Sequence, residues 1–254
     1  MGVSVSLVIT VYNQQSFLAV TIESILAQTY GDFELVIWDD GSTDESVSIA
    51  QRYAEKDDRI QVVLGQNQGV TAALKAAIAM TRGLYLGWVD SDDLLAPTAL
   101  EETIAVLMSE LTVGMVYTHY QAIDEADVNL GLGVRCQIPY SVEQLLVNFM
   151  TFHFRLLRRS VYEAVGGLDV GYERAEDYDL CLRLSEVTEI RCVPKPLYFY
   201  RQHSGNMTND ELEQIRWSYQ ASVAALKRRG LAGKYAIEMR VVSQFVLRRM
   251  GDEG

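Results

Sequence analysis

The fold is decided by residues 6–40, which read SLVITVYNQQSFLAVTIESILAQTYGDFELVIWDD. Two short apolar runs, SLVITV at 6–11 and ELVIW at 34–38, have the β-branched composition and the length of buried strands. Between them, apolar side chains recur at helical spacing and predict an amphipathic helix. These side chains are Leu18, Ile22, Ile25 and Leu26. The order of strand, helix and strand is the unit from which parallel sheets are built.

The same alternation continues to about residue 112. Its further elements are strands at 60–64 and 84–89 and helices at 42–53, 71–81 and 98–108. Ser42 and Glu45 have the spacing of a capping box at the start of the first of these helices. The alternation predicts an α/β fold with a mostly parallel sheet flanked by helices. Ligands of such sheets bind beyond the carboxyl ends of the strands, so polar residues that follow strands are candidate site residues.

After residue 112 the pattern is less regular. We predict a strand at 113–118, a loop at 124–139, a helix at 141–148, a strand at 152–158 and a helix at 178–186. Residues 191–200 are extended but contain Pro194 and Pro196, which indicates an edge strand or a loop, because proline cannot donate a hydrogen bond to a neighbouring strand. From Asp210 onward we predict a helical C-terminal tail with a glycine break at 230–233.

The composition restricts the partners. The chain has 254 residues and a net charge of −12, so it is a poor partner for nucleic acid, and an anionic ligand needs a local cation such as a metal ion. The tail differs, because residues 211–254 carry eight basic and five acidic side chains. The pairs Arg228-Arg229 and Arg248-Arg249 fit either a solvated helix face or a peripheral contact with a membrane.

Cysteine usage and hydropathy indicate the compartment. The three cysteines are too few and too scattered for a disulfide framework, which predicts reduced thiols in a cytoplasmic protein. No run approaches the ~20 apolar residues of a membrane span. The N-terminus lacks the basic region of a secretory signal.

The tetrapeptide Asp90-Ser91-Asp92-Asp93 follows the fourth predicted strand. Carboxylates two residues apart can point to the same side and share one hard cation, and oxygen ligands suit Mg²⁺ or Mn²⁺. The alternative is that Asp92 or Asp93 caps the next helix. The chain has neither a G-x-G-x-x-G segment nor a P-loop motif, which disfavours dinucleotide binding and P-loop chemistry.

Three further polar segments are candidates. Residues 39–42, DDGS, fit either a contact with a base or ribose or a turn that leads into a helix. Asp177, after Glu176, can cap the following helix or act as a general base toward a substrate hydroxyl. His203 by itself does not indicate a site, but close to the aspartate cluster it could complete a metal site.

Several motifs in order resemble the family 2 glycosyltransferases, and the resemblance covers residues 4 to 205. The motifs are SLVITVYNQQSFLAVTIESILAQTY, FELVIWDDGSTDES, NQG, GLYLGWVDSDDLL, VGGLD, YERAEDYDLCLRL and YRQHSGNMT. The resemblance implies a Rossmann-like GT-A fold and a nucleotide-diphospho-sugar donor. It further implies that the reaction inverts the configuration of the anomeric carbon.

The resemblance also implies roles for individual residues. The nucleotide-sugar would contact Thr10, Tyr12, Asn13, Asp39, Asn67, Gly69, Asp90 and Ser91. Asp90, Asp92 and His203 would hold Mn²⁺ or Mg²⁺, and Asp177 would be the catalytic base. Apart from the resemblance, Glu176 and His153 are candidate acceptor residues. Phe152 and Arg155 are candidates as well, although a packed core strand explains residues 152–155 equally well. Family members commonly carry Arg-Asn where this chain has Leu74-Lys75, so Lys75 contacts a phosphate, contacts a carboxylate or is simply solvated.

These inferences combine into one expected organisation. Residues 1–205 would form the GT-A domain, with a donor half at 1–100 and an acceptor half at 101–205, and residues 206–254 a helical extension. The enzyme would transfer a sugar from a nucleotide-diphospho-sugar, UDP before dTDP or GDP, to a hydroxyl of a glycan, lipid-linked or protein acceptor. Such chemistry belongs to polysaccharide, glycolipid or glycoprotein synthesis, in the cytoplasm or at the inner face of the membrane. The alternatives are a nucleotidyltransferase of related fold and a catalytically silent sugar-nucleotide-binding module.

Overall fold

The computed structural model describes residues 3–205 and 211–240. Its strands are β1 (Val5–Val11), β2 (Phe33–Asp39), β3 (Ile60–Leu64), β4 (Tyr85–Trp88), β5 (Leu94–Leu95), β6 (Val113–Ile123), β7 (Asn129–Leu132), β8 (Arg155–Arg158) and β9 (Glu189–Arg201). Its helices are α1 (Leu18–Leu26), α2 (Ser46–Ala54), α3 (Val70–Ala79), α4 (Ala99–Ser109), α5 (Arg159–Ala164), α6 (Glu176–Leu184) and α7 (Glu211–Arg228). The alternation predicted for the first 112 residues is confirmed.

The strands form one sheet in the order β3-β2-β1-β4-β8-β6-β9-β5, with β7 paired to β6. The pairings give β1, β2, β3, β4, β6 and β9 a common direction, whereas β5, β7 and β8 run the opposite way. The predicted mostly parallel sheet is therefore confirmed. The carboxyl ends of the strands with the common direction lie at one edge, which we call the site edge. Because β8 is antiparallel to β4 and β6, residues 151–154, which precede β8, reach the same edge.

The sheet is covered on both faces, because successive side chains of a strand point to opposite sides. In β1, Leu7 and Ile9 face a core that contains apolar residues of α1, α2 and α4. Val8 faces the second core, which contains apolar residues of α3, α6 and α7. Burial of both faces explains why these strands read as continuous apolar runs rather than as an alternation of apolar and polar residues.

The prediction of an edge strand or a loop at 191–200 is wrong. β9 is an interior strand, parallel to β6 on one side and antiparallel to β5 on the other. Its register shifts where Thr118 pairs with Val193 and His119 pairs with Pro196, so the two residues in between bulge out of the ladder. The bulge accommodates Pro194, because the backbone groups of bulged residues do not have to join the ladder, and the pairing resumes at Pro196.

Two other segments differ from the predictions. Residues 124–139, predicted as a loop, contain β7, a short strand that pairs antiparallel with the last residues of β6. Residues 141–148, predicted as a helix, form only one 3₁₀ turn at Gln144–Leu146. β7 is short and rich in glycine and leucine, so it lacks the β-branched run that identifies the central strands.

The tail begins as predicted and packs onto the sheet domain. In α7, Ala221 and Ala225 are fully buried in the second core. Arg228 and Arg229 form ion pairs with Glu186, two residues after α6, at 3.1 and 3.4 Å, and Arg228 also remains exposed. Beyond the glycine break, residues 234–240 are not helical, contrary to the prediction. Arg248-Arg249 and residues 206–210 lie outside the described residues.

None of the helices within residues 3–205 and 211–240 is long and apolar enough to cross a membrane. The expected division of the chain at residues 100 and 205 stays a prediction.

The central position of β1 leads to a stability prediction. Ile9 of β1 is fully buried in the core that contains α1, α2 and α4. Ile9→Ala should therefore lower the free energy of unfolding by roughly 2–5 kcal/mol, whereas Ile9→Val should lower it by only about 0.5–1.5 kcal/mol. Urea unfolding followed by circular dichroism measures both. Equal losses for the two variants would contradict a tightly packed site for Ile9.

Candidate active site

A cleft of about 550 Å³ opens at the site edge. The predicted site residues that line it are Thr10, Tyr12, Asn67, Gly69, Asp90, Ser91, Asp92, His153, Glu176 and Asp177. Asn13, Asp39 and His203 do not line the cleft, although each adjoins or contacts a residue that does. Residues from distant parts of the chain therefore converge on one cleft.

The loop after β1 is held by the loop after β2. The side-chain oxygen of Asn13 accepts a hydrogen bond from the backbone N–H of Thr43 at 2.8 Å, and the backbone N–H of Asn13 donates to Ser42 Oγ at 3.0 Å. Asn13 has a φ of +54°, a left-handed conformation that asparagine tolerates better than most residues. The capping box predicted for Ser42 is wrong, because its hydroxyl binds this loop and α2 begins at Ser46.

The two aspartates at the end of β2, Asp39 and Asp40, form different hydrogen bonds. Oδ2 of Asp39 accepts hydrogen bonds from the backbone N–H groups of Gly41 and Ser42, at 3.1 and 2.9 Å. Its Oδ1 is buried and accepts no hydrogen bond from the described residues, which suits a donor group on a ligand. Asp40 accepts hydrogen bonds from the backbone N–H groups of Gln68 and Gly69 and so fixes the turn between β3 and α3.

Asp90 lies opposite a buried histidine. Its Oδ2 is 3.4 Å from Nε2 of His153, whose ring stacks on Tyr198 with centroids 4.7 Å apart. Burial, reinforced by the charge of Arg155, holds the pKa of His153 well below its usual range, so this imidazole is neutral at neutral pH. Burial and the neighbouring Asp92 raise the pKa of Asp90 to about 7. A cation at this position would favour the ionised carboxylate.

The turn that carries Asp92 and Asp93 is bonded to residues at the end of β9 and just after it. Nε2 of His203 lies 2.8 Å from Oδ2 of Asp92. Arg201 is buried and donates from Nε to the carbonyl oxygen of Asp92 at 2.7 Å, and its backbone N–H donates to Asp93 Oδ1 at 2.7 Å. The alternative in which Asp92 or Asp93 caps the next helix is wrong, because α4 begins after Thr98 without a side-chain cap.

The donor set at this turn fits a divalent cation chemically. Carboxylate oxygens of Asp90 and Asp92 and the imidazole of His203 are ligands that Mn²⁺ accepts, and the carboxylates also suit Mg²⁺. Within residues 3–205 and 211–240, however, no three acidic, histidine or cysteine side chains stand close enough together to form a complete metal site. Asp90 faces His153 while Asp92 faces His203, so a shared site stays a prediction.

The start of α6 places two carboxyl groups at the cleft. Oδ2 of Asp177 is 3.0 Å from Nη2 of Arg155, and its Oδ1 accepts the backbone N–H of Tyr178 at 2.7 Å. The first turn of a helix favours negative charge, which explains acidic residues here. Burial, with the charge of Asp177, raises the pKa of Glu176 to about 8, so Glu176 is mostly protonated at neutral pH.

Several residues of the cleft were not predicted. Arg135, Phe149 and Arg174 line it, beside Arg155, for which the sequence equally allows a place in a packed core strand. Buried Arg155 was recognisable as a charged residue in an apolar segment, whereas nothing local in the sequence indicates the other three. Lys75, for which the sequence allows three roles, donates to the carbonyl oxygen of Leu168 at 2.9 Å.

The fold matches solved structures of glycosyltransferases. TarS of S. aureus, residues 1–349, in complex with UDP-GlcNAc, superimposes with a TM-score of 0.70 and 17% identity over 88% of this chain and 66% of that one. The mannosyltransferase PcManGT of Pyrobaculum calidifontis, in complex with GDP-Man and Mn²⁺, gives a TM-score of 0.64 and 16% identity over 92% of this chain and 76% of that one. The fold is therefore the α/β GT-A type, as expected.

Residues 6–166 match Glycosyl transferase family 2, and the chain belongs to this family. Among curated relatives, the chondroitin synthase of Escherichia coli is 32% identical over 209 residues, which are 82% of this chain and 30% of that protein. The hyaluronan synthase of Pasteurella multocida is 29% identical over 208 residues, 82% of this chain and 21% of that protein. The chain thus spans less than a third of these relatives.

The raised pKa of Glu176 leads to a prediction about stability and pH. The unfolded chain loses this proton near pH 4, whereas the folded protein keeps it to about pH 8, so the folded state binds more protons in between and stability falls as pH rises through this window. Glu176→Gln should therefore show a smaller fall in the free energy of unfolding from pH 5 to pH 8 than the wild type.

Urea unfolding at several pH values in the presence of EDTA measures this slope. The exposed Glu173, three residues earlier, provides the control variant Glu173→Gln, which should keep the wild-type slope. An unchanged slope in Glu176→Gln would mean that Glu176 is ionised in the folded protein at neutral pH.

Proposed function

We propose that the chain is an inverting, metal-dependent glycosyltransferase that moves a sugar from a UDP-sugar to an acceptor hydroxyl. The observation that carries this proposal is the convergence of Asp90, Asp92 and Asp177 on one cleft at the site edge. Family membership supports the reaction class, and the UDP-GlcNAc bound to TarS supports UDP as the nucleotide.

The donor would occupy the side of the cleft formed by β1, β2 and β4. Asp39, with its unused buried oxygen, would accept a hydrogen bond from the base, while Thr10, Tyr12 and Asn67 would border the nucleoside. Asn13 would act through its bonds to the loop after β2. Gly69 and Ser91 would let the diphosphate approach the backbone closely.

Asp90, Asp92 and His203 would hold Mn²⁺ or Mg²⁺. Such an ion, when bound, neutralises the departing nucleoside diphosphate as a Lewis acid, a task that a chain of net charge −12 cannot perform through its overall charge. The Mn²⁺ in the complex of PcManGT supports this choice of ion.

Asp177 would be the catalytic base. One of its carboxylate oxygens takes the proton of the acceptor hydroxyl as the hydroxyl oxygen forms a bond to the anomeric carbon. The bond between that carbon and the diphosphate breaks on the opposite side, and its electron pair leaves with the diphosphate. Arg155 orients the carboxylate through their ion pair at 3.0 Å. Glu176 and His153 would face the acceptor.

We propose a glycan acceptor, because relatives of this chain are named chondroitin and hyaluronan synthases. Lipid-linked and protein-linked glycans carry the same hydroxyl chemistry. We place the enzyme in the cytoplasm, where nucleotide-sugars and reduced cysteines occur together, or at the inner face of the membrane, in the synthesis of cell-envelope glycans.

The role of Asp177 predicts a selective loss of turnover. Asp177→Asn keeps the shape of the side chain but cannot take the proton, so kcat for sugar transfer should fall by roughly 10²–10⁴-fold while UDP affinity in Mn²⁺ changes little. The matched control is Asp58→Asn, because Asp58 is exposed and precedes β3, at the end of that strand opposite the site edge. Turnover close to wild type in Asp177→Asn would refute the assignment.

The role of Asp92 predicts loss of metal-dependent binding. Asp92→Ala should weaken the binding of UDP with Mn²⁺ at least about tenfold, because a ligand to the ion is removed. It should leave the weaker binding of UDP in EDTA unchanged. Isothermal titration calorimetry measures both, with Asp58→Ala as control, and unchanged affinity in Mn²⁺ would remove Asp92 from the metal site.

A panel of UDP-sugars, incubated with the wild type and Mn²⁺, tests the reaction itself. Slow release of UDP without acceptor, increased by a glycan acceptor, is the expected result. Release of pyrophosphate from a nucleoside triphosphate and a sugar phosphate would indicate a nucleotidyltransferase instead. Binding of UDP without any turnover would indicate a silent binding module.

A further inference from the structure

Arg135 lines the cleft, and its positive charge has no role in the donor binding or the proton transfer proposed above. It lies in a 3₁₀ turn at Val134–Gln137, after β7 and beside β6. Its guanidinium carbon is 4.4 Å from the ring centroid of Phe152 and 5.3 Å from that of Phe149. Among the described residues no carboxylate forms an ion pair with Arg135, and none accepts a hydrogen bond from its buried Nη1.

Hydrogen bonds to β6 fix the turn that carries Arg135. The backbone N–H of Gly133 donates to the carbonyl oxygen of Tyr120 at 2.9 Å, and the N–H of Tyr120 donates to Sγ of Cys136 at 3.3 Å. The ring of Tyr120 in turn contacts Phe152, with centroids 5.1 Å apart. These contacts tie the turn to β6 and hold the guanidinium against the aromatic residues of the cleft.

Aromatic contacts leave the hydrogen-bonding capacity of a guanidinium unused. A ring attracts the cation through its face, whereas the N–H groups lie in the guanidinium plane and point outward. A buried guanidinium N–H without an acceptor is costly, and a carboxylate or phosphate relieves that cost with two parallel hydrogen bonds. The chemistry of Arg135 therefore selects an anionic group.

The neighbours of Arg135 indicate which substrate carries this group. Phe149 contacts the guanidinium groups of both Arg135 and Arg155, and Arg155 forms the ion pair with Asp177. One aromatic ring thus separates Arg135 from the arginine that orients the proposed base. Phe149 also packs on Tyr178 of α6, at 4.8 Å between centroids. These contacts belong to the acceptor side of the cleft, whereas the donor side is formed by the loops after β1, β2 and β4.

We infer that Arg135 is a specificity residue for an anionic acceptor, a sugar that carries a carboxylate or phosphate close to the hydroxyl that Asp177 deprotonates. This inference rests on the proposed function, because it uses the assignment of Asp177 as the base. It adds the chemical class of the acceptor, which neither the base nor the metal site defines.

The test compares matched probes that differ in charge. The probes are p-nitrophenyl β-D-glucoside, p-nitrophenyl β-D-glucuronide and p-nitrophenyl β-D-glucoside 6-phosphate, titrated into protein that holds UDP and Mn²⁺ and followed by isothermal titration calorimetry. The wild type should bind at least one anionic probe about 10-fold or more tightly than the neutral glucoside. Preference for the glucuronide or for the phosphate tells which anion the site takes.

Arg135→Met retains an apolar side chain that can pack on the two phenylalanines but lacks the charge, so it should abolish the preference for the anionic probe. Arg135→Lys should retain part of it, because lysine supplies the charge without the planar pair of donors. The control is Arg52→Met, because Arg52 is exposed on α2 and should leave the preference unchanged.

Two results would overturn the inference. One is a wild type that binds no anionic probe more tightly than the glucoside, which includes the case in which no probe binds. The other is a preference that survives in Arg135→Met, which would assign Arg135 a purely structural contact. Affinity for UDP with Mn²⁺ is measured in the same samples, so failure of UDP to bind would count against the proposed function instead.

Discussion

The common direction of the central strands is the constraint on which the rest of the structure depends. Parallel strands bring their carboxyl ends to one edge, so loops separated by many residues in sequence become neighbours in space. Asp39 at the end of β2, Asp90 after β4 and His203 after β9 reach the cleft region in this way. The one antiparallel strand in the middle of the sheet, β8, adds His153 and Arg155 from its beginning rather than from its end.

A buried arginine holds the parts of this edge together. Arg201, at the end of β9, contacts the turn that carries Asp92 and also donates to the carbonyl oxygen of Asp124 at 3.0 Å, in the loop between β6 and β7. It lies over the ring of Phe17, which in turn packs on His203. A buried guanidinium needs such acceptors, because an unsatisfied charge in the interior is strongly unfavourable. The position of Asp92 therefore depends on a residue that touches no substrate in the proposed mechanism.

The sequence was sufficient for the parts of the fold that are determined locally. β1 and β2 are recognisable because both faces of each are buried and their residues are therefore mostly apolar. β9 was not recognisable, because its two prolines indicate an edge, whereas Pro194 lies in the bulge against β6 and Pro196 pairs with His119 directly after it. Arg135 and Phe149 were missed for a related reason. Their place at the cleft follows from long-range packing of an irregular segment, and no spacing in the sequence encodes it.

The contact between α6 and α7 determines how far the functional unit extends. The hydroxyl of Tyr178, the residue after Asp177, donates to the carbonyl oxygen of Leu145 at 2.6 Å and lies 3.2 Å from Ser222 Oγ of α7. Arg228 approaches the buried Asp179 at 3.7 Å. A chain shortened after residue 205 would expose the apolar side of the helix that carries Asp177. Fusions and domain exchanges that aim to keep the activity should therefore join the chain beyond α7, although the family match ends at residue 166.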